Sequence, residues 1–102
     1  MPDEPRYGPT SPGTVLLEIG GTVGALILTV PAELDGAEIE ISREGQPRSH
    51  AQVRERQGGG DARYAAVYPG LAEGRYTIWR DFQTPAGTVE VAGGQVATFA
   101  WQ

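Results

Sequence analysis

The sequence contains no cysteine, no lysine and no asparagine, and it has one histidine in 102 residues. Without cysteine, the chain can form neither a disulfide framework nor a thiolate metal site. Without lysine, it has no side-chain amine to act as a nucleophile or to form a Schiff base. The single histidine, His50, falls short of the three or four ligands that a zinc site needs. We therefore predict no metal site and no cofactor.

A hydrolytic mechanism has little to build on either. Ser49 directly precedes His50, and neighbouring residues of a strand point to opposite faces of the sheet, so the two do not form a nucleophile–base pair. Glu38 and Glu40 share a strand face as a glycosidase pair would, but two acids on the solvated face of a strand explain them better. The glycine-rich segment 57–61 lacks the lysine of a phosphate-binding loop and is predicted to connect two strands. We predict no catalytic residue.

Long hydrophobic runs are also missing. The longest, residues 24–28, is far shorter than the roughly 20 residues of a transmembrane helix, so no membrane span is predicted. Residues 1–6 carry acid and proline where a secretory signal has basic charge followed by an apolar run. This favours a cytoplasmic protein, although a secreted domain trimmed of its signal would look the same. The net charge of −5 argues against binding to nucleic acid.

What the sequence does contain is a succession of short strand patterns separated by glycine-rich turns. Residues 1–13 hold four of the eight prolines and no apolar periodicity, so we expect a flexible tail before a single domain over residues 14–102. Strands at this spacing are typical of an all-β fold, a two-sheet antiparallel β-sandwich of about seven or eight strands. The predicted strands are 14–19, 23–30, 37–43, 49–56, 62–68, 75–80, 87–92 and 95–101, with turns at Gly20-Gly21, Pro69-Gly70 and Gly93-Gly94.

Strands 37–43 and 49–56 are predicted to form a hairpin. Pairing residue 40 with residue 52 places Glu38 opposite Arg54 on the outer face and the apolar residues opposite one another inside. His50, Arg54 and Arg56 then share that outer face, as a small docking strip for an anionic ligand that His50 could make pH-sensitive. The alternative is a solvated face on which the arginines pair with Glu38 and Glu40.

A second candidate surface comes from strands 62–68 and 75–80, which are also predicted to pair. If Tyr64, Tyr68 and Ile78 point into the core, then Val67, Thr77 and Trp79 point outward together. An exposed apolar patch of this kind often marks an interface. The alternatives are that the tail 1–13 covers Trp79 or that a second core layer buries it.

One segment carries a resemblance. Residues 68–78, YPGLAEGRYTI, resemble a signature of carboxypeptidase-regulatory-like and Cna-B-type domains, in which an aromatic residue and Gly-Leu precede a glycine and an alternating Tyr-x-Val/Ile. Residues 34–41 and 87–96 resemble the strand before it and the closing hairpin after it. The likeness spans residues 22–101 and implies a prealbumin-like sandwich. Some Cna-B-type domains link a lysine to an asparagine through an isopeptide bond, which is excluded here because both residue types are missing.

The resemblance implies a spacer, an adhesin or a carbohydrate-associated domain. Residues 49–56 also resemble an arginine-rich strand of small uncharacterised actinobacterial proteins, some of which are described as phospholipases. We expect a non-catalytic interaction module that binds a protein partner, or a second copy of itself, through an exposed strand face. The alternatives are a carbohydrate-binding module that uses Trp79 as a stacking platform, and an enzyme of the kind that the phospholipase description suggests.

Overall fold

The structure, a computed structural model, describes residues 17–56 and 64–101. The described residues form eight strands and one short 3-10 turn, Ala32–Leu34. The strands are β1 (Val23–Val30), β2 (Glu38–Arg43), β3 (Ser49–Gln52), β4 (Arg54–Glu55), β5 (Tyr64–Ala72), β6 (Gly74–Trp79), β7 (Pro85–Val91) and β8 (Val96–Ala100).

The strands form two four-stranded sheets that pack face to face. The β1 sheet has the order β4-β5-β1-β8, and the β2 sheet has the order β3-β2-β6-β7. The prediction of an all-β two-sheet sandwich is confirmed. The sheets are antiparallel except for one pair, because β8 runs parallel to β1. The predicted sandwich was antiparallel throughout, so this pair is a correction.

The core lies between the sheets and follows from alternation along each strand. Leu26 and Leu28 point inward from β1, and Ile41 and Ile78 point inward from the opposite sheet. Each such buried aliphatic side chain contributes about 2 kcal/mol relative to leaving it in water. The inward direction predicted for Tyr64, Tyr68 and Ile78 is confirmed, and Ala66, Leu71 and Tyr76 of the same two strands also belong to this core or pack against it.

The predicted strand 49–56 is divided between the two sheets. Its first part, β3, pairs with β2, whereas its second part, β4, pairs with β5 on the other side of the core. The chain crosses at Val53, whose N–H donates to the Ala37 carbonyl at 2.8 Å and whose side chain is fully buried. A strand pattern alone does not show where a chain leaves one sheet for another.

The predicted register of the β2–β3 hairpin is also wrong, by two residues. Glu38 lies opposite Gln52 and Glu40 lies opposite His50, whereas the prediction placed Glu38 opposite Arg54. Side chains repeat every two residues along a strand, so a shift of two leaves every residue on its predicted face. The alternation pattern therefore fixed the faces but not the partners.

The two other predicted hairpins do not exist. Strands β5 and β6 lie in different sheets, and so do β7 and β8. The predicted turn at Pro69-Gly70 is also wrong, because β5 continues through it to Ala72. The pairing with β1 shifts between Gly24 and Leu26, opposite Leu71 and Tyr68, so Pro69-Gly70 form a β-bulge. A β-bulge interrupts the hydrogen bonds of a strand pair, so it accepts proline and glycine.

The predicted turns at Gly20-Gly21 and Gly93-Gly94 are confirmed. Gly21 has a φ of +56° and Gly94 has a φ of +74°, which is the left-handed region that glycine reaches without steric cost. The predicted strand 14–19 is absent over 17–19, and its first three residues lie outside the described residues. The tail 1–13 and the loop 57–61 lie outside them as well. Among residues 17–56 and 64–101, no helix is long and apolar enough to cross a membrane.

Candidate functional site

The predicted surface of Val67, Thr77 and Trp79 is split between the two sides of the molecule. Trp79 and Thr77 lie on the outer face of the β2 sheet, where both are half-buried. Val67 lies on the outer face of the β1 sheet, opposite Ile27 of β1. The prediction that Val67 and Trp79 form one face is therefore wrong. The reason is that β5 and β6 follow each other in the chain but do not pair.

The predicted strip of His50, Arg54 and Arg56 is divided in the same way. His50 is exposed on β3, whereas Arg54 is exposed on β4 and pairs with Ala65 in the other sheet. The Arg56 guanidinium donates to the Ala65 carbonyl, from Nε at 3.1 Å and from Nη2 at 2.9 Å. Desolvation, and secondarily the charge of Arg54, lowers the pKa of Arg56. The crossing at Val53 therefore separates His50 from both arginines.

One open pocket brings together His50 and Trp79 on the outer face of the β2 sheet. His50, Glu40 and Trp79 form a row across three adjacent strands, with Glu40 in the middle. The pocket has a volume of about 440 Å³. It is lined by Glu38, Glu40, His50, Trp79, Arg80, Asp81 and Phe82.

The indole of Trp79 is fixed from two sides. Its Nε1–H donates to Ser42 Oγ at 2.9 Å, and the guanidinium carbon of Arg48 lies 3.8 Å from the ring centroid. The pairing of β6 with β7 shifts between Ile78 and Trp79, so a β-bulge lies beside the indole. Bulges of this kind turn the end of a strand and re-aim its side chains. Trp79 is consequently a covered platform at the base of the pocket.

The loop 80–84, which follows β6, forms the rim of the pocket. Asp81 Oδ1 accepts the backbone N–H groups of Gln83 and Thr84, each at 2.9 Å. These two hydrogen bonds lower the pKa of the Asp81 carboxyl, because they favour its ionised form. The turn that they hold presents Phe82, whose side chain is 78% exposed. Phenylalanine is among the residue types most often buried in proteins, and here its ring is open to solvent.

A hydrogen bond and an ion pair organise the polar groups around the pocket. His50 Nδ1 lies 2.5 Å from Glu38 Oε1, and Arg48 Nη1 donates to Glu40 Oε1 at 2.7 Å. Both pairs are partly open to solvent, which limits each to about 1 kcal/mol at most. Three carboxylates line the pocket against one arginine and one histidine. The site is suited to binding a polar or cationic group beside an aromatic surface.

Four residues of the site were not predicted from the sequence, namely Arg48, Arg80, Asp81 and Phe82. Arg48 lies in the loop between β2 and β3, and its position over Trp79 depends on the pairing of β2 with β6. Phe82 stands alone among polar residues between two strand patterns, in the segment Arg-Asp-Phe-Gln-Thr. An isolated aromatic residue in such a loop was the only signal in the sequence for this part of the site.

The described residues do not gather three or more histidine, aspartate or glutamate side chains that could hold a metal ion. His50 and Trp79, two of the residues predicted from the sequence, both line the pocket. No protein-family model, no curated protein and no solved structure matches the chain.

Proposed function

We propose that the protein is a non-catalytic interaction module that binds another protein, or a second copy of itself, through the outer face of the β2 sheet around the pocket. The observation that carries this proposal is the ring of Phe82, which is 78% exposed at the rim. Burying an aromatic side chain of this size against a partner contributes about 2 kcal/mol or more. Aromatic residues are enriched among the few that dominate binding energy at interfaces.

The surroundings of Phe82 support this proposal. The ring lies beside charged groups that already have partners within the protein, namely Arg48, Glu40 and Asp81. An apolar centre with a satisfied polar rim is the usual anatomy of a protein interface. The hydrogen bonds of Asp81 hold the loop before a partner arrives, which reduces the entropy lost on binding.

The carbohydrate alternative has weaker support. A sugar that stacks on Trp79 would have to displace Arg48, because the guanidinium already covers the ring at 3.8 Å. The open ring at this site is that of Phe82, which projects at the rim rather than along a flat platform. Titration with soluble glycans, followed by tryptophan fluorescence, separates the two functions; a saturable change would favour the carbohydrate alternative.

The family relationship suggested by the sequence resemblance is also part of the proposal. A prealbumin-like relationship is supported by the placement of the 68–78 signature, since Tyr68, Leu71, Tyr76 and Ile78 all contribute to the core. The relationship to actinobacterial proteins rests on the strand 49–56 alone, and we propose no lipid hydrolysis.

The first prediction concerns the Phe82→Ala variant. We expect it to fold normally, because the ring makes little contact with the core, and to lose association with the partner by about tenfold or more. Cross-linking in the native cell followed by purification identifies the partner, and calorimetry with the purified partner measures the affinity. Sedimentation analysis without a partner measures self-association of the wild type and of Phe82→Ala.

The matched control is Val96→Ala. Val96 is an exposed apolar residue, 41% accessible, on an edge strand of the other sheet. We expect this variant to bind and to self-associate like the wild type. If Phe82→Ala associates as strongly as Val96→Ala and the wild type, the outer face of the β2 sheet is not the docking surface and the proposal fails.

A further inference from the structure

Arg48 is held at the rim of the pocket by four contacts that come from other parts of the chain. Its guanidinium lies 3.8 Å from the Trp79 ring centroid and 5.5 Å from that of Phe82. Nη1 donates to Glu40 Oε1 at 2.7 Å, and Nη2 donates to the Phe82 carbonyl at 2.8 Å. Aromatic faces, a carboxylate and a carbonyl are the groups with which proteins recognise a guanidinium.

The groups that hold Arg48 are also held by contacts with other residues. Trp79 is anchored by its hydrogen bond to Ser42, and Glu40 lies on the central strand β2. The loop that carries Phe82 is closed by Asp81 and by the 2.7 Å hydrogen bond from Arg80 N–H to the Thr84 carbonyl. Arg48 itself comes from the loop between β2 and β3 and keeps 27% of its side chain exposed. The walls of this site would therefore remain if Arg48 moved away.

The charge around the site favours a cation. The three carboxylates of Glu38, Glu40 and Asp81 line the pocket against Arg80 and His50, and the whole chain carries a net charge of −5. When Arg48 leaves, Glu40 loses its ion pair, and the pocket becomes more negative by one charge that faces the two rings. Aromatic rings beside a carboxylate bind cations better than neutral groups, because the ring face and the carboxylate are both electronegative.

We propose that this pocket recognises an arginine side chain of the partner protein, and that Arg48 occupies the same position in the free protein. The proposal rests on the proposed function and names the chemistry of its partner. The partner's guanidinium replaces that of Arg48 between Trp79, Phe82 and Glu40. In the free protein Arg48 covers the indole and neutralises Glu40, so the site is closed to neutral apolar ligands until a second arginine takes its place.

The test uses small probes and the whole chain. N-acetyl-arginine amide is titrated into the wild type and into Arg48→Ala, and the indole N–H signal of Trp79 is followed by NMR. Without the internal competitor, Arg48→Ala is expected to bind this probe at least about tenfold more tightly than the wild type. N-acetyl-lysine amide should bind more weakly, because an ammonium lacks the planar stacking and the forked donors. The neutral N-acetyl-citrulline amide should not bind.

Arg75→Ala is the matched control. It removes one arginine from the other end of β6, where Arg75 pairs with Glu90, and so changes the net charge equally. This variant should bind the arginine probe no better than the wild type. Arg48→Gln provides a second variant that removes the charge but keeps aliphatic cover over the indole. Its affinity should lie between those of the wild type and Arg48→Ala.

Two results would overturn the proposal. One is equal affinity of the arginine probe for the wild type, Arg48→Ala and Arg48→Gln. The other is tight binding of the citrulline amide, which would show that charge is not recognised. These outcomes are distinct from a failure of the proposed function, because the probe titration reports on the guanidinium site, whereas the Phe82→Ala comparison reports on docking of the partner protein.

Discussion

Tyr68 shows how a single side chain can connect the two sheets. It extends from β5 in the β1 sheet, and its hydroxyl donates to the Ile39 carbonyl of β2 at 2.5 Å. The side chain is 3% exposed, so the hydroxyl has little access to water. A buried hydroxyl requires a partner of this kind, since leaving it unpaired would cost roughly 1–3 kcal/mol.

Tyr68→Phe should lower the free energy of unfolding by about 1–2 kcal/mol at neutral pH, because the ring is retained and the Ile39 carbonyl loses a donor. Urea denaturation, with the slope held common to both proteins, measures the change. An unaltered midpoint would show that the hydroxyl contributes nothing to stability. Tyr64→Phe is a suitable control, since Tyr64 lies on the same strand and is only half-buried.

Because Tyr68 is buried, we expect the protein to lose stability in alkali. Burial raises the pKa of Tyr68 above its usual value of 10.0, although the backbone N–H of Ala51 partly offsets this effect. Desolvation raises the pKa of Tyr76 as well. An unfolded tyrosine ionises near pH 10, whereas the folded one stays protonated. The contribution of Tyr68 to the free energy of unfolding is therefore complete below pH 10 and falls as the pH rises above it. Tyr68→Phe should make that decline shallower.

At the scale of elements, the loop 80–84 continues from the end of the central strand β6 and forms the rim of the pocket. It joins β6 to β7 across a β-bulge, and Asp81 closes it by accepting two backbone N–H groups. The loop supplies both the exposed ring of Phe82 and the carbonyl that binds Arg48. The order of this loop therefore determines the shape of the pocket.

Asp81→Ala should loosen the loop without unfolding the sandwich. We expect faster amide hydrogen exchange at Gln83 and Thr84, because both N–H groups lose their acceptor. In the wild type the pKa of Asp81 is lowered. The stabilising effect of its carboxylate on the turn is therefore complete above the ordinary value of 3.8 and is lost as the pH falls through the lowered pKa. Asp81→Asn keeps an acceptor oxygen and should retain the turn without this acid dependence. Unchanged exchange in Asp81→Ala would contradict the role of the carboxylate.

At the scale of the whole molecule, Val53 is the point at which one strand pattern serves both sheets. Its side chain is fully buried in the common core, and its backbone exchanges hydrogen bonds with the segment before β2, at 2.8 Å to Ala37 and 2.9 Å from Gly36. The two sheets are further joined by the contacts of Tyr68. We therefore expect them to unfold together.

Val53→Ala should lower the stability of both sheets by about 2 kcal/mol, because it leaves a cavity that both share. The two tryptophans allow separate observation, since Trp79 lies on the β2 sheet and the backbone N–H of Trp101 donates to the Thr29 carbonyl of the β1 sheet. Within each of the Trp79→Phe and Trp101→Phe proteins, fluorescence of the remaining tryptophan and far-UV circular dichroism should give coincident midpoints, and Val53→Ala should shift both equally. Separate midpoints would contradict cooperative unfolding of the two sheets.

The candidate site was predicted in part, and the limit has a physical cause. His50 and Trp79 were identified from residue type and outward direction, which depend only on alternation within a strand. Their proximity depends on β2 lying between β3 and β6, and that order is a property of the assembled sheet. Val67 was assigned to the surface of Trp79 because consecutive strands were assumed to pair, and Arg54 and Arg56 were assigned to that of His50 because residues 49–56 were assumed to stay in one sheet.

The sequence by itself determined the fold class, most strand positions, the two double-glycine turns and the inward faces of β2, β3, β5 and β6. Each of these follows from local rules: the two-residue repeat of a strand, and the freedom of glycine to adopt a positive φ. Only the tertiary structure decided the register of β2 with β3, the crossing at Val53, the parallel placement of β8 and the stack of Arg48 on Trp79. These depend on contacts between residues distant in the chain, where alternative pairings bury the same faces and differ only in how well the whole core packs.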